Sequence, residues 1–264
     1  MPFLQRQSVT FHFERTEGRG QPVVLIHGWC CDRTFLSPQA DYFSKLGHQI
    51  ISPDLRGHGL SDKPRQPYPI KVFADDVAWM CGELNLSKPI LVGHSMGGIV
   101  AFDIAARYPN LPAAIVMLDS AIVLPAAARQ NIPLFIEKLQ RSDYVNTLRH
   151  FIESVLFLPS DDRVRKAGIL DLMSGAPQHV MTAAYQGLAD YDAVEARGRI
   201  TVPSLYIAAN EPSPRSDMPR LKDIIPQLNA GQTVGSGHFC QLEVPEQINA
   251  MIGRFVRLAL VPNL

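Results

Sequence analysis

The sequence has few cysteines, no excess of either charge and no long apolar run. Its 264 residues carry 25 basic and 25 acidic side chains, so the formal net charge is zero. Surfaces that bind nucleic acid or anionic lipid usually appear as basic clusters, and the lysines and arginines here form none. Every apolar run falls short of the roughly 18 residues that a membrane-spanning helix needs. We therefore expect neither nucleic acid nor a membrane as a partner.

The cysteines give no sign of a metal site or of a disulfide framework. Cys30, Cys31, Cys81 and Cys240 lack metal-ligand spacing, and a bridge between the adjacent Cys30 and Cys31 would be strained. The first residues also lack the basic segment, apolar run and cleavage site that are typical of a secretory signal. We expect reduced, mostly buried thiols in a cytoplasmic protein that holds no metal.

Apolar runs alternate with helical patterns over most of the chain. Strands are predicted at 9–14, 22–27, 48–52, 88–92, 113–118, 202–208 and 231–234. Apolar residues at helical spacing separate several of these runs, and a helix is predicted to close the chain at 246–260. This alternation predicts an α/β fold with a doubly wound, mostly parallel sheet and helices on both faces.

The interval between residues 120 and 200 breaks the alternation. It contains no convincing buried strand, and its helical patterns lie at 125–140, 143–156, 162–174 and 177–188. One domain with an insertion is commoner at this length than two independent domains. We therefore expect a core made of residues 1–120 and 200–264, with residues 121–199 as a helical cap over the carboxyl edge of the sheet.

The most informative motif is Gly93-His94-Ser95-Met96-Gly97-Gly98. It follows a predicted strand and opens a predicted helix, so the chain must turn sharply at Ser95. A strand–turn–helix with glycines on both sides is the setting of a nucleophile elbow, which holds a serine hydroxyl above the sheet edge. Ser95 is therefore the candidate nucleophile.

A serine hydroxyl needs a base, and His238 is the best placed of the eight histidines. It follows the last predicted strand and a glycine-rich turn, so its loop should also lie at the carboxyl edge of the sheet. His94 is expected to pack against the loop around His58 instead, and His27 is expected to hold a backbone carbonyl.

A developing oxyanion needs two hydrogen-bond donors. The backbone N–H of Met96, the residue after the nucleophile, is one candidate. The other is the backbone N–H of Trp29, which follows Gly28 in the loop after an early strand. The indole of Trp29 is also expected to line a pocket.

The acid that would orient His238 is ambiguous. The usual position is the loop after the penultimate strand, where the sequence offers Glu211 between nearby prolines. Asp119 ends a buried strand earlier in the chain, at the same edge of the sheet. We favour Asp119, keep Glu211 as the alternative, and leave open that no acid takes part.

Across nearly its full length the chain resembles the α/β-hydrolase superfamily. The motifs that carry the resemblance are His27-Gly28-Trp29, Asp54-Leu55-Arg56-Gly57-His58-Gly59-Leu60-Ser61, Gly93-His94-Ser95-Met96-Gly97-Gly98 and Gly237-His238-Phe239. The resemblance implies the fold and a Ser–His machinery without metal or organic cofactor. It is a poor guide to substrate, because this fold hosts many chemistries.

Esterases of this superfamily need only the residues named above. Carbon–carbon bond hydrolases share the Ser-Met-Gly-Gly elbow but typically carry tryptophan where this chain has Phe239. Cofactor-independent dioxygenases of N-heteroaromatic rings resemble this chain at Gly28-Trp29-Cys30 and Asp119, but usually carry histidine in place of Met96.

We therefore expect a serine hydrolase that cleaves a carboxylic ester of a medium-sized, fairly apolar small molecule. The carbon–carbon hydrolase and the dioxygenase are alternatives within the fold. A non-catalytic receptor for a small hydrophobic ligand is an alternative of another class. The sequence leaves the oligomeric state open.

Overall fold

The apolar runs of the sequence form the central strands of one sheet. The computed structural model describes residues 2–260. Its strands are β1 (Phe3–Arg6), β2 (Val9–Thr16), β3 (Gly20–Ile26), β4 (His48–Pro53), β5 (Ile90–His94), β6 (Ala114–Leu118), β7 (Ser204–Ala208) and β8 (Asn229–Gln232). Within the described residues they pair in the order β1-β2-β4-β3-β5-β6-β7-β8. The two pairings of β2 are antiparallel, and all pairings from β4 to β8 are parallel.

Helices cover both faces of this sheet. They are α1 (Ser37–Lys45), α2 (Ile70–Glu83), α3 (Met96–Arg107), α4 (Ala126–Gln130), α5 (Ile132–Leu139), α6 (Tyr144–Phe151), α7 (Arg163–Ser174), α8 (Gln178–Ala189), α9 (Met218–Ile224), α10 (Cys240–Glu243) and α11 (Pro245–Leu260). None of the helices within residues 2–260 is both long and apolar enough to cross a membrane.

Alternate residues of the central strands face two separate apolar clusters. Val92 of β5 belongs to one cluster with Phe43 of α1 and Ile252 of α11. Its neighbour Leu91 belongs to the other cluster, with Phe73 of α2. Because successive strand residues point to opposite faces, this division shows a three-layer arrangement with the sheet in the middle. The predicted α/β fold with a doubly wound, mostly parallel sheet is confirmed.

The parallel strands bring five loops to one edge. Since β3, β5, β6, β7 and β8 run in the same direction, the segments that follow them all emerge at their carboxyl ends. The chain places β4 on one side of β3 and β5 on the other, so the strand order reverses there. Such a reversal opens a crevice at the carboxyl edge, which is the usual ligand site of an open α/β sheet.

The helical segment (residues 121–199) contains α4 to α8 and no strand. Leu148 of α6, Met173 of α7 and Val180 of α8 belong to the same apolar cluster as the residues of α2 and α3. The helical segment is therefore continuous with the core on that side of the sheet.

Some element bounds differ from those predicted. The predicted helix at 125–140 is two helices, because Pro133 has no N–H and its ring would clash with a carbonyl one turn earlier. The last strand, β8, begins two residues earlier than predicted, at Asn229. Strand β1 and helix α10 were not predicted, since their short sequences show no clear period. Helix α9 begins after Asp217, which was expected to cap a helix there and whose side chain accepts the N–H of Arg220.

The contact between α3 and β3 depends on Gly97. A Cβ at Gly97 would overlap the backbone carbonyl oxygen of Ile26, whereas a Cβ at Gly82 of α2 would meet nothing. We expect Gly97→Ala to lower the free energy of unfolding by about 2 kcal/mol or more, as overpacking does. Gly82→Ala should leave it unchanged or raise it by up to about 1 kcal/mol, since alanine favours a helix. Urea denaturation measures both, and equal stabilities would contradict this packing.

Candidate active site

Ser95 lies at a strained turn between a strand and a helix. Strand β5 ends at His94 and helix α3 begins at Met96, so Ser95 alone makes the turn, with φ +54° and ψ −119°. A positive φ is rare for a residue with a side chain and usually marks a functional position. Gly93 is required here because a Cβ would overlap the carbonyl oxygen of Gly97. The N–H of Ser95 donates to Leu118 O at 2.9 Å, which ties the turn to β6.

His238 and Asp119 form a short buried hydrogen bond. His238 Nδ1 lies 2.6 Å from Asp119 Oδ2, and only 5% and 2% of these residues is exposed. Asp119 follows β6 with φ +41°, and its Oδ1 accepts the N–H of Ala209 at 3.0 Å. Because a carboxylate accepts, Nδ1 carries the proton, so in the neutral form of the ring it is Nε2 that is unprotonated. That is the tautomer a general base needs.

The structure therefore places Asp119, and not Glu211, at the Nδ1 side of His238. Burial alone would raise the pKa of Asp119, but the hydrogen bond and charge of His238, with Arg215, lower it below its usual value. Glu211 Oε1 instead accepts a hydrogen bond from Arg215 Nη2 at 2.7 Å. Burial raises the pKa of Glu211, and Arg215 opposes this rise.

The two predicted oxyanion donors border the turn at Ser95. Met96 opens α3 directly after it, and a Cβ on Gly28 would lie 3.1 Å from Ser95 Cβ, so the loop after β3 touches the turn. Within residues 2–260, neither the Met96 N–H nor the Trp29 N–H donates a hydrogen bond. Both donors are thus available to a ligand. The indole Nε1 of Trp29 donates to Met181 O at 2.9 Å, which anchors the ring in the cavity wall.

Ser95 and His238 line the same cavity without a direct hydrogen bond between them in the described structure. Such bonds are often long before a substrate is bound. The cavity has a volume of about 710 Å³ and is also lined by Trp29, Met96 and Asp119. Most of its wall is apolar, and the helical segment contributes Leu134, Phe135, Phe151, Leu156, Tyr185 and Leu188.

Two other histidines, His27 and His94, have backbone partners. His27 Nδ1 donates to Gly28 O at 2.8 Å, as predicted. The prediction for His94 was wrong: its Nε2 contacts His238 O at 2.8 Å and its ring lies 4.7 Å from that of His238, centroid to centroid. The cause is the position of β5, whose end faces the loop after β8. The sequence does not show this proximity.

Cys31, whose thiol is a nucleophilic group, also lines the cavity. Burial, followed by the charge of Asp32, raises the pKa of the Cys31 thiol well above its usual value. A thiol must ionise to attack. Cys31 is therefore a poor nucleophile beside Ser95.

Within residues 2–260, one group of side chains has the chemistry to hold a metal ion. Ligand-type atoms of Asp119, Glu211 and His238 all lie within 4.8 Å of one another. The Arg215 guanidinium already contacts both carboxylates, with Nε 3.4 Å from Asp119 Oδ2. A metal ion beside that cation would be repelled, so the arrangement suits a hydrogen-bonded cluster better than a metal site. Arg215 belongs to no recognisable motif, because it is a lone arginine in a proline-containing loop.

Comparisons with known proteins agree with the α/β-hydrolase fold. The profile of the alpha/beta hydrolase fold family matches residues 21–245. An AB hydrolase superfamily protein of Bacillus subtilis, YisY, is 30% identical over 254 residues, covering 90% of this chain and 92% of the relative. The (E)-2-((N-methylformamido)methylene)succinate hydrolase of Acinetobacter baylyi is 29% identical over 254 residues, covering 93% of each chain. A solved thermophilic esterase from Thermogutta terrifontis superposes with a TM-score of 0.84 at 27% identity, covering 96% of this chain and 95% of that one.

Buried neutral histidines should make the protein sensitive to acid. Burial lowers the pKa of His58 and of His94 to about 3. In the unfolded chain both take up a proton near pH 6.5, so the unfolded state binds more protons below that pH. We expect the free energy of unfolding to fall by up to about 1.4 kcal/mol per pH unit for each histidine between pH 6.5 and 3.

Urea denaturation between pH 7 and 5 measures this dependence. His58→Phe keeps a ring beside Phe73 and removes one titrating group, so its stability should change less with pH. His150→Gln, which replaces an exposed histidine, is the matched control and should follow the wild type. An unchanged pH dependence in His58→Phe would contradict the assignment.

Proposed function

The chain belongs to the α/β-hydrolase family, and from that premise we propose that it is a serine hydrolase that cleaves a carboxylic ester through an acyl-enzyme. The observation that carries the proposal is the buried hydrogen bond between His238 and Asp119 at the cavity that Ser95 also lines. A serine, a histidine in the required tautomer and a buried carboxylate are the parts of a nucleophilic triad.

In the proposed reaction, Nε2 of His238 takes the proton of the Ser95 hydroxyl as its oxygen attacks the ester carbon. The N–H groups of Met96 and Trp29 stabilise the oxyanion that develops. His238 then protonates the leaving alcohol, and the acyl group stays on Ser95. Water, deprotonated by the same ring, releases the acid and restores the enzyme. Asp119 holds the ring in place and stabilises the imidazolium.

The cavity supports a medium-sized, fairly apolar substrate. About 710 Å³ lies within the range of small-molecule pockets. Four aromatic rings pack against one another in its wall: Trp29, Phe135, Phe151 and Tyr185. Residues 121–199 contribute three of these rings, and we propose that they act as a cap that encloses the acyl or alcohol group.

A second candidate is a substrate that carries a carboxylate. The Acinetobacter baylyi relative is named for a substituted succinate, which is a dicarboxylic acid. Lys138 and His150 line the same cavity from the helical segment. No acidic partner of Lys138 is present in the described part of the chain.

Comparing p-nitrophenyl butyrate with the p-nitrophenyl monoester of succinic acid, in wild type and in Lys138→Met, separates the two candidate substrate classes. A preference for the succinate ester that Lys138→Met abolishes would favour the second.

We also propose a cytoplasmic location. All four cysteines are unpaired and buried. Burial raises the pKa of Cys30 and of Cys240 well above the usual value, which keeps these thiols protonated. Free thiols of this kind suit a reducing compartment. Fractionation of the native cells, followed by detection of the protein, tests the location.

Replacing the nucleophile should abolish turnover and preserve the fold. We expect Ser95→Ala to lower kcat for p-nitrophenyl butyrate by roughly 10³-fold or more. Alanine fits at the turn, because it removes only the hydroxyl, so circular dichroism should match the wild type. Cys31→Ala is the matched control at the same cavity and should keep its activity within about tenfold. Retained turnover in Ser95→Ala, or its loss only in Cys31→Ala, would overturn the assignment.

The two carboxylates near His238 should differ in their effect on catalysis. Asp119→Asn keeps the size of the side chain but offers His238 Nδ1–H an amide that can favour the wrong tautomer, so kcat should fall by up to about 10⁴-fold. Glu211→Gln should stay within about tenfold of wild type, since Glu211 makes its hydrogen bond to Arg215. Steady-state kinetics on both variants decides, and the reverse order would make Glu211 the triad acid.

A further inference from the structure

The loop after β7 places a second carboxylate and an arginine beside the proposed triad. Glu211 and Arg215 are four residues apart, with Pro212 and Pro214 between them. Their side chains are 9% and 16% exposed, so both charges are largely removed from water. A buried, unpaired charge is costly, and each of these has the other as a partner. Neither residue has a role in the mechanism proposed above.

Arg215 makes contacts on three sides. Its Nη2 donates to Glu211 Oε1 and to Val155 O of the helical segment, both at 2.7 Å. Its Nε lies 3.4 Å from Asp119 Oδ2, which is an ion-pair distance and not an aligned hydrogen bond. Arg215 therefore joins the proposed triad acid, the second carboxylate and the helical segment.

His238 would otherwise have two carboxylates close to its ring. Oxygens of Asp119 and Glu211 lie within 4.8 Å of a His238 ring nitrogen. One carboxylate orients an imidazole, but two unneutralised carboxylates favour the imidazolium, which cannot act as a base. A cation between them cancels one of the two negative charges. The site then has the net charge of an ordinary triad.

We propose that Arg215 is a positioning residue: it neutralises Glu211 and holds its carboxylate in an ion pair, so that His238 makes its hydrogen bond with Asp119 alone and remains an unprotonated base. The inference rests on the proposed ester hydrolysis for its purpose. The guanidinium also fixes Glu211 by a charge-assisted hydrogen bond, which prevents that carboxylate from competing for the Nδ1 proton.

Four other titratable groups around His238 are uncharged, so they do not alter the charge that the Glu211–Arg215 pair sets. Burial lowers the pKa of His94 to about 3, so this neighbour on β5 is neutral. Burial raises the pKa of Tyr206 on β7 and of Cys240 on α10 well above their usual values, so both stay protonated. Tyr185 in the cavity wall is protonated too, because burial raises its pKa to about 12.

Glu243 of α10 is an acidic neighbour of this loop. The Glu243 carboxylate accepts the N–H of Gly237 at 2.9 Å. Burial raises the pKa of Glu243 to about 7; the nearby Asp161 adds to this rise, and the hydrogen bond from Gly237 opposes it. Its titration overlaps the range of interest. Glu243 is present in every variant described below, so differences between the variants do not depend on its titration.

The test is a titration of the His238 ring by NMR, together with the pH dependence of kcat/KM, in variants of the Glu211–Arg215 pair. We expect Arg215→Gln to raise the midpoint of both by about one pH unit or more, because the ring then faces two anions. Glu211→Gln should lower both by up to about one unit, because the ring then faces a free cation as well as Asp119. The double variant should lie near the wild type, and Arg215→Lys, which keeps the charge, should also stay near it.

Arg149→Gln is the matched control, because Arg149 pairs with Asp171 on the helical segment at 2.9 Å. It should leave both midpoints unchanged. If Arg215→Gln does not fold, the shift of the His238 titration midpoint in Glu211→Gln still tests the proposal. Unmoved midpoints in the single variants, or a double variant that does not return to the wild-type value, would overturn the proposal. The NMR titration needs no turnover, so shifted midpoints without ester hydrolysis would reject the proposed function and keep this inference.

Discussion

The hydrogen bond between His238 and Asp119 connects two parts of the chain that are 119 residues apart. It joins the end of β6 to the loop after β8, and β7 lies between these strands in the sheet. Asp119 reaches across because its backbone has a positive φ and its second oxygen is held by Ala209 N–H, at the end of β7. The bond thus depends on the register of three parallel strands, and it fixes the tautomer on which the proposed chemistry depends.

Burial strengthens the hydrogen bond between His238 and Asp119, and it also means that the charges around this bond need partners. A charge in a site that is almost closed to water must be paired. The pairing continues outward, from His238 to Asp119, then to Arg215 and Glu211. Arg215 also binds a carbonyl of the helical segment, at Val155. The helical segment, which lines the cavity, is therefore linked to these charges.

Sequence alone predicted the parts of the site that local patterns determine. Ser95 was predicted because a strand, a turn and a helix follow one another within a few residues, and this geometry is local. Asp119 was favoured because a carboxylate that ends a buried strand must lie at the sheet edge. Strand β2 was predicted from its alternating pattern, and the strands from β3 to β7 were predicted from their apolar runs. The break at Pro133 could have been predicted from its missing N–H.

Contacts between distant segments could not be predicted in the same way. His94 faces His238 through the packing of β5 against the loop after β8, and no spacing in the sequence encodes that contact. Arg215 gave no signal because its partners lie on β6, on its own loop and on the helical segment. The partners of such residues can be identified only from the folded structure, in which the strands are in register.

The central claim is that Ser95 carries the acyl group during turnover, with His238 as the base. Acid-quenched mixing of the wild-type protein with excess p-nitrophenyl butyrate, followed by peptide mass mapping, tests it most directly. We expect one added butyryl group on the peptide that contains Ser95 and none in His238→Ala. A butyryl group on another residue, or a burst of p-nitrophenol without any acylated peptide, would contradict it.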